Sequence, residues 1–186
     1  MDILEAIDSR RSIKRFTAAE VARADIERLL QAVTRAPNHR MTEPWRFSVL
    51  GPQARRAYGE VLGARKARKV EDPDARAAVQ AKVVREHEDL PVMIAVAVLL
   101  HDDPEIREED HAAAFMGIQN LALAAQAFGL GTHIKTGAVM EDPAARAATG
   151  IGPGERLVAI VNLGEPQEVP DPKPRRDARE LTTWLP

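Results

Sequence analysis

The 186-residue chain contains no cysteine. That absence excludes disulfides, thiolate metal sites, iron–sulfur clusters and thiol catalysis together. No excess of charge is present either: 26 basic residues face 28 acidic ones, for a net charge of −2. This argues against a general nucleic-acid or anionic-membrane binder. The longest apolar run, "AAAFMGIQNLALAAQAFGLG" (112–131), is broken by Gln119, Asn120 and Gln126. It reads as a buried helix and not a membrane span. The opening "MDILEAIDSRR" is amphipathic and lacks the apolar core of a signal peptide, so a cytoplasmic location is expected. Five histidines show no metal-ligand spacing, and no metal site is expected. No phosphate loop, dinucleotide fingerprint or G-x-S-x-G motif occurs.

What remains is an ordinary globular composition, 45% apolar and 29% charged, in a length that fits one domain over 1–186. Residues 2–9 predict a short helix with Ile3, Leu4 and Ile7 on one face. Thr17 and Glu20 have capping-box spacing, ahead of a helical repeat of Ile26, Leu29, Leu30 and Val33 that Pro37 ends. "WRFSVL" (45–50) alternates like a strand. Residues 53–89 predict two charged surface helices broken at "EDPD" (71–74). "VMIAVAVLL" (92–100) and "ERLVAIVNLG" (155–164) predict buried strands. Between them come a surface loop and helix start in "HDDPEIREED", a long helix over about 110–128 ending at "GLG", a short strand in "THIKTG" (132–137), and a short helix in "DPAARAATG" (142–150). The tail 165–186 is proline-rich and basic, without periodicity. The order of elements places the chain in the α/β or α+β class.

Three stretches have residues suited to chemistry. Arg10, Arg11 and Ser12 offer guanidinium forks, a hydroxyl and a backbone N–H to a phosphate, or else form a solvated basic turn. "RAPNHRMTEPWRF" (35–47) holds two prolines, Asn38, His39, Arg40 and Trp45, with no glycine. Such a loop on a rigid scaffold suits ligand binding; alternatively Arg35 only complements the helix end and Asn38 caps it. "GLGTHIKTGAV" is punctuated by glycines that let backbone approach a flat ligand closely.

In order and separation, "RRSIKRF", "RAPNHRMTEPWRF", "AAAFMGIQNLALAAQAFGLGT" and "LVAIVNLGEP" together resemble the flavin-dependent nitroreductase family, in its short NAD(P)H nitroreductase branch. The resemblance spans nearly the whole chain. It implies an α+β fold with a central mixed sheet flanked by helices, and an intertwined homodimer with FMN at the interface. It implies NADH or NADPH as co-substrate and a small electron acceptor such as a nitroaromatic or quinone, used in a ping-pong cycle. A flavin binder of the same fold that never turns over is the alternative. The resemblance assigns FMN contacts to Arg10, Arg11, Ser12, Arg35, His39, Ile134, Lys135 and Thr136, with Arg35 and His39 coming from the partner subunit. It nominates Lys14, Arg35 or Lys135 as the cation near the ring's pyrimidine edge. Lys173, Arg175 and Arg176 are equal candidates for a further phosphate contact. The loop has "RMTEPW" where longer relatives often show an Asn or Ser pair, and 53–89 follows its own pattern. The acceptor therefore does not carry over.

Overall fold

A computed structural model describes residues 2–186. The elements run α1 (Ile3–Ser9), α2 (Arg23–Val33), β1 (Trp45–Val49), α3 (Pro52–Ala67), α4 (Pro73–Glu88), β2 (Val92–Leu99), α5 (Pro104–Ala127), β3 (Gly131–Lys135), α6 (Pro143–Ala148) and β4 (Glu155–Gly164). Short 3-10 turns cover Ala138–Glu141 and Ala178–Leu181. The strands form one sheet in the order β1-β2-β4-β3, every neighbouring pair antiparallel. The expected mixed character is confined to one isolated parallel bridge, Ser12 with Thr132, on the outer edge of β3. Among the described residues, no helix is long and apolar enough to cross a membrane.

The two apolar runs read as buried strands are β2 and β4, the paired centre of the sheet. They are buried on both faces, which is why they show continuous apolarity without alternation. Ile94, Val96, Val161 and Leu163 pack with Leu29 and Val33 of α2 and Ile118 and Leu121 of α5. On the opposite face, Met93, Ala95, Leu157 and Ile160 pack with Tyr58 of α3, and with Val139, Met140 and Ala145. The β2–β4 register slips at Val96/Ala97, where Val158 is left without a partner as a bulge.

Local signals explain most element ends. Asp72, Asp103 and Asp142 each accept an N–H in the first turn of α4, α5 and α6, and a proline follows each at the first helical position. Helix α5 therefore begins at Pro104, ahead of the start near 110 that apolar periodicity predicts, because its first turns are charged and solvated. It ends where Gly129 takes a left-handed φ of +70° and Leu130 N–H returns to Ala125 O. The capping box expected of Thr17 and Glu20 does not form. Helix α2 starts after Ala22 with no side-chain cap, and the Thr17 hydroxyl donates to Glu165 instead.

Glycines permit the closest approaches. A β-carbon on Gly117 would stand 2.6 Å from Val33 Cγ1 and 2.8 Å from Val33 O, so this glycine sets the α2–α5 contact. Gly131 and Gly164 face each other across β3 and β4. Their missing β-carbons form a notch in which Ile13 and Phe16 lie.

Candidate functional site

The notch fixes the basic turn. Ile13 N–H donates to Thr132 O at 2.9 Å, and Thr17 N–H donates to Glu165 O at 2.9 Å. Gln167 N–H donates to Arg15 O at 3.0 Å. The 10–17 segment is thereby tied to the free edge of β3 and to the tail at once. Between the turn and the tail lies a cleft of about 770 Å³, lined by Arg10, Arg11, Ser12 and Lys14 on one side and Lys173 and Arg175 on the other. Six basic side chains, counting Arg15, meet three acidic ones, Asp8, Glu168 and Asp171. Arg15 is partly neutralised by Glu168 at 3.5 Å. Arg11 spends one nitrogen on the carbonyls of Asp8 and Arg10. Among the described residues, Arg10 and Lys14 have no side-chain partner, which leaves both able to take an anion. Of the three tail candidates, Lys173 and Arg175 line this cleft and Arg176 does not.

The 134–136 segment continues from the same edge: Thr132 bridges Ser12, and β3 runs on through Ile134 and Lys135 to the exposed Thr136. Gly137 at φ +112° turns the chain away. Ile134 packs toward the α2–α5 side. Lys135, paired with Ile160, points to the opposite face, where its Nζ lies 3.4 Å from His87 Nε2. Burial lowers the Lys135 pKa, the nearby Lys66 adds to this, and Glu86 opposes it. Burial also lowers His133, helped by Lys135 and Lys14. Lys14 and Lys135 thus act on one region of the strand edge.

Arg35 and His39 are placed elsewhere within the chain. Arg35 lines a second groove of about 490 Å³ with Ile3, Ala6, Leu123 and Ala127, between α1, α2 and α5. His39 Nδ1 lies 2.9 Å from Glu109 Oε1, and Arg40 reaches Glu109 and Glu105 at 3.1 Å each. His39 first, with Arg40, lowers the Glu109 pKa. The loop between them folds around a buried carboxylate: Thr42 Oγ1 and Asn38 Nδ2 both donate to Asp110, which is 2% exposed. Asn38 Oδ1 accepts the Glu43 N–H at 2.9 Å. Met41 (φ +49°) and Glu43 (φ +46°) occupy the left-handed region without being glycine. This is strain that the Asp110 network holds in place. Trp45, 6% exposed, anchors the end of the loop in the core as its sequence position suggests.

Three residues of this architecture escape sequence reading. Asp110 sits in a run of charge that looks solvated. His87 lies in the charged 53–89 region, yet is 2% exposed. Gly131, placed against Ile13, has a visible signal in the "GLG" punctuation but no visible partner. Among the described residues, no group of three or more metal-ligating side chains occurs, and Asp103 of the "HDD" stretch is occupied as a helix cap.

Comparison with known proteins follows the same outline. A profile of the Nitroreductase family matches residues 7–165. A Bacillus subtilis protein provisionally named NAD(P)H nitroreductase YfhC is 32% identical over 97% of this chain and 93% of its own length. A provisionally named NAD(P)H nitroreductase of Escherichia coli K12, YdjA, is 29% identical over 94% of this chain and 97% of its own. Among solved structures, a nitroreductase-like family protein from Bacillus cereus superposes with a TM-score of 0.86 at 27% identity, covering 100% of this chain and 96% of that one. The FMN- and NADPH-dependent nitroreductase NfnB from Sphigopyxis sp. strain HMH shares the fold with a TM-score of 0.80 at 20% identity, over all of both chains.

Proposed function

The chain belongs to the nitroreductase family, and on that premise we propose that it is a single-domain, FMN-dependent NAD(P)H oxidoreductase that works as a homodimer in the cytoplasm. The observation that carries this reading is the basic cleft between the 10–15 turn and the tail, held against the edge of β3 by the Ile13–Thr132 bond. Its donor set fits a phosphate monoester: the unpaired Arg10, the Ser12 hydroxyl, and Lys173 and Arg175 opposite. A flat ring extending from that phosphate would lie along the backbone of Ile134, Lys135 and Thr136.

Bound FMN would supply the redox chemistry, taking a hydride from NADH or NADPH and passing electrons to a small acceptor such as a nitroaromatic or quinone in a ping-pong cycle. The protein's residues bind, orient and compensate charge. Arg10, Arg11 and Ser12, with Lys173 and Arg175, hold the phosphate end. Lys14 and Lys135 put positive charge beside the strand edge where negative charge would develop; Lys14 is exposed, while Lys135 is partly buried, which strengthens its interaction. Arg35 and His39 lie outside the cleft of their own chain and are assigned to the site of a second copy. The dimer reading is supported by unpaired apolar surface: Ile3, Leu4 and Ile7 of α1 and Met116 of α5 are all exposed, and Ile3 lines the groove that holds Arg35.

The test is an anaerobic absorbance titration of the purified protein with NADPH and then NADH, with light scattering for mass. A dimer whose flavin bleaches with either nucleotide is expected. A colourless protein that takes up no added FMN refutes the reading. A flavin that stays oxidised with both nucleotides selects a non-catalytic flavin binder.

A further inference from the structure

Buried histidines need partners, and His87 has two. Its Nδ1 lies 2.7 Å from Val83 O, and a carbonyl can only accept, so Nδ1 carries a proton. Its Nε2 faces Lys135 Nζ at 3.4 Å, and an ammonium can only donate. The two contacts together require a neutral imidazole with the proton on Nδ1 and a bare Nε2. Its surroundings favour that form: the ring is 2% exposed and tilts against Tyr58 with centroids 5.6 Å apart. Burial, then Lys135 and Lys66, lower its pKa, while the Val83 carbonyl and Glu86 oppose them. Tyr58, also buried, has its pKa pushed up to about 12 and stays neutral.

The ring is brought there by the packing of α3 on α4. A β-carbon on Gly59 would stand 3.1 Å from Val84 Cα and 3.3 Å from His87 Cβ; one on Gly63 would stand 3.1 Å from Gln80 O. Two glycines four residues apart on α3 therefore let α4 approach closely enough to place His87 beneath the end of β3. Lys135 needs such a contact. Its stem is long and flexible, and the positive charge of Lys66 lies nearby.

We infer that His87 is a positioning residue: its Nε2 accepts from Lys135 Nζ and holds that amine at the strand edge, so the charged 53–89 region has a buried role in the site. This rests on the reading that Lys135 lies beside the flavin, and the test separates the two. The first readout uses flavin-free protein and ¹⁵N NMR of the His87 ring. Between pH 7 and 8, Nδ1 should be protonated and Nε2 bare, and Lys135→Met should move the Nε2 resonance but not Nδ1. A doubly protonated ring at pH 7, or an Nε2 indifferent to Lys135→Met, overturns the contact. The second readout is FMN affinity by fluorescence quenching. His87→Phe and Lys135→Met should each weaken FMN about five- to tenfold. The double variant should be no weaker than Lys135→Met alone, and His87→Gln, which keeps an acceptor oxygen, should recover to within about twofold. Additive losses would make His87 a packing residue and overturn the inference. A Lys135→Met protein that binds FMN normally would overturn the placement of Lys135, even where NMR shows the contact.

Discussion

Replacing Gly131 with alanine tests how the basic turn is seated. The new β-carbon would stand 2.3 Å from Ile13 Cγ1 and 3.0 Å from both Ile13 Cβ and Pro166 Cγ. Ile13 cannot rotate away cheaply. It is β-branched, 3% exposed, and tied by its own N–H to Thr132 O at 2.9 Å. Overpacking of this kind costs about 1–3 kcal/mol. The narrower unfolded ensemble of alanine returns about 0.4–1 kcal/mol. A net loss of about 1–2 kcal/mol in urea unfolding is expected. The cheapest relaxation lifts residues 12–16 off the strand edge, which moves Arg10, Ser12 and Lys14 relative to Lys173 and Arg175. FMN should therefore bind about tenfold more weakly, equivalent to about 1.4 kcal/mol. Gly117→Ala is the control: its β-carbon would meet Val33 Cγ1 at 2.6 Å and the Val33 carbonyl oxygen at 2.8 Å, but it acts on the α2–α5 contact. It should cost as much stability while changing FMN affinity by less than about threefold. A Gly131→Ala protein with wild-type stability and wild-type FMN affinity would refute the role given to the notch. So would equal affinity losses in both variants.

Arg10→Ala should weaken FMN by about ten- to a hundredfold, the value of a charge-assisted bond to phosphate, while Arg176→Ala should leave it unchanged; isothermal titration at two salt concentrations checks both. Asp110→Ala strands Thr42 and Asn38 and releases the strain at Met41 and Glu43. A loss of roughly 2–4 kcal/mol in chemical denaturation is expected, and an unaltered midpoint would count against the network. His87 is harder to protonate folded than unfolded, so below pH 6.5 the unfolded chain binds the extra proton first. Stability should fall as pH drops from 6.5 toward the folded-state value, by at most about 1.4 kcal/mol per pH unit from this group. His87→Phe should flatten that slope; an identical slope in the variant would contradict the assignment.

Much of the scaffold was legible because short-range rules set it. The β2 and β4 runs declare burial on both faces. The Asp-Pro pairs at 72–73, 103–104 and 142–143 declare helix starts, and the left-handed Gly129 and Gly150 close α5 and α6. Periodicity is silent where a helix is charged all round, which is why it starts α5 near 110 although the helix begins at Pro104. Long-range partners are silent too. Thr17 has the spacing of a cap, yet its hydroxyl is claimed by Glu165, 148 positions away. The Arg10–Ser12 turn could be picked out as a candidate for phosphate, but not the wall that faces it across the cleft: Lys173, Arg175 and Arg176 are chemically alike, and only the path of the tail separates them. His87 and Asp110 lie in charged stretches whose average character hides single inward-facing positions.

The seams joining the turn to the rest of the fold also bear on folding kinetics. The Ile13–Thr132, Thr17–Glu165 and Gln167–Arg15 bonds each close a chain segment of more than about a hundred residues, an entropic cost that short-range contacts do not bear. A growing polypeptide cannot form the cleft until nearly its whole length has been synthesised, and these seams should close after the β2–β4 pairing. A ligand bridging Arg10 and Arg175 would then grip contacts absent from the folding transition state. It should slow unfolding and leave the refolding rate almost untouched.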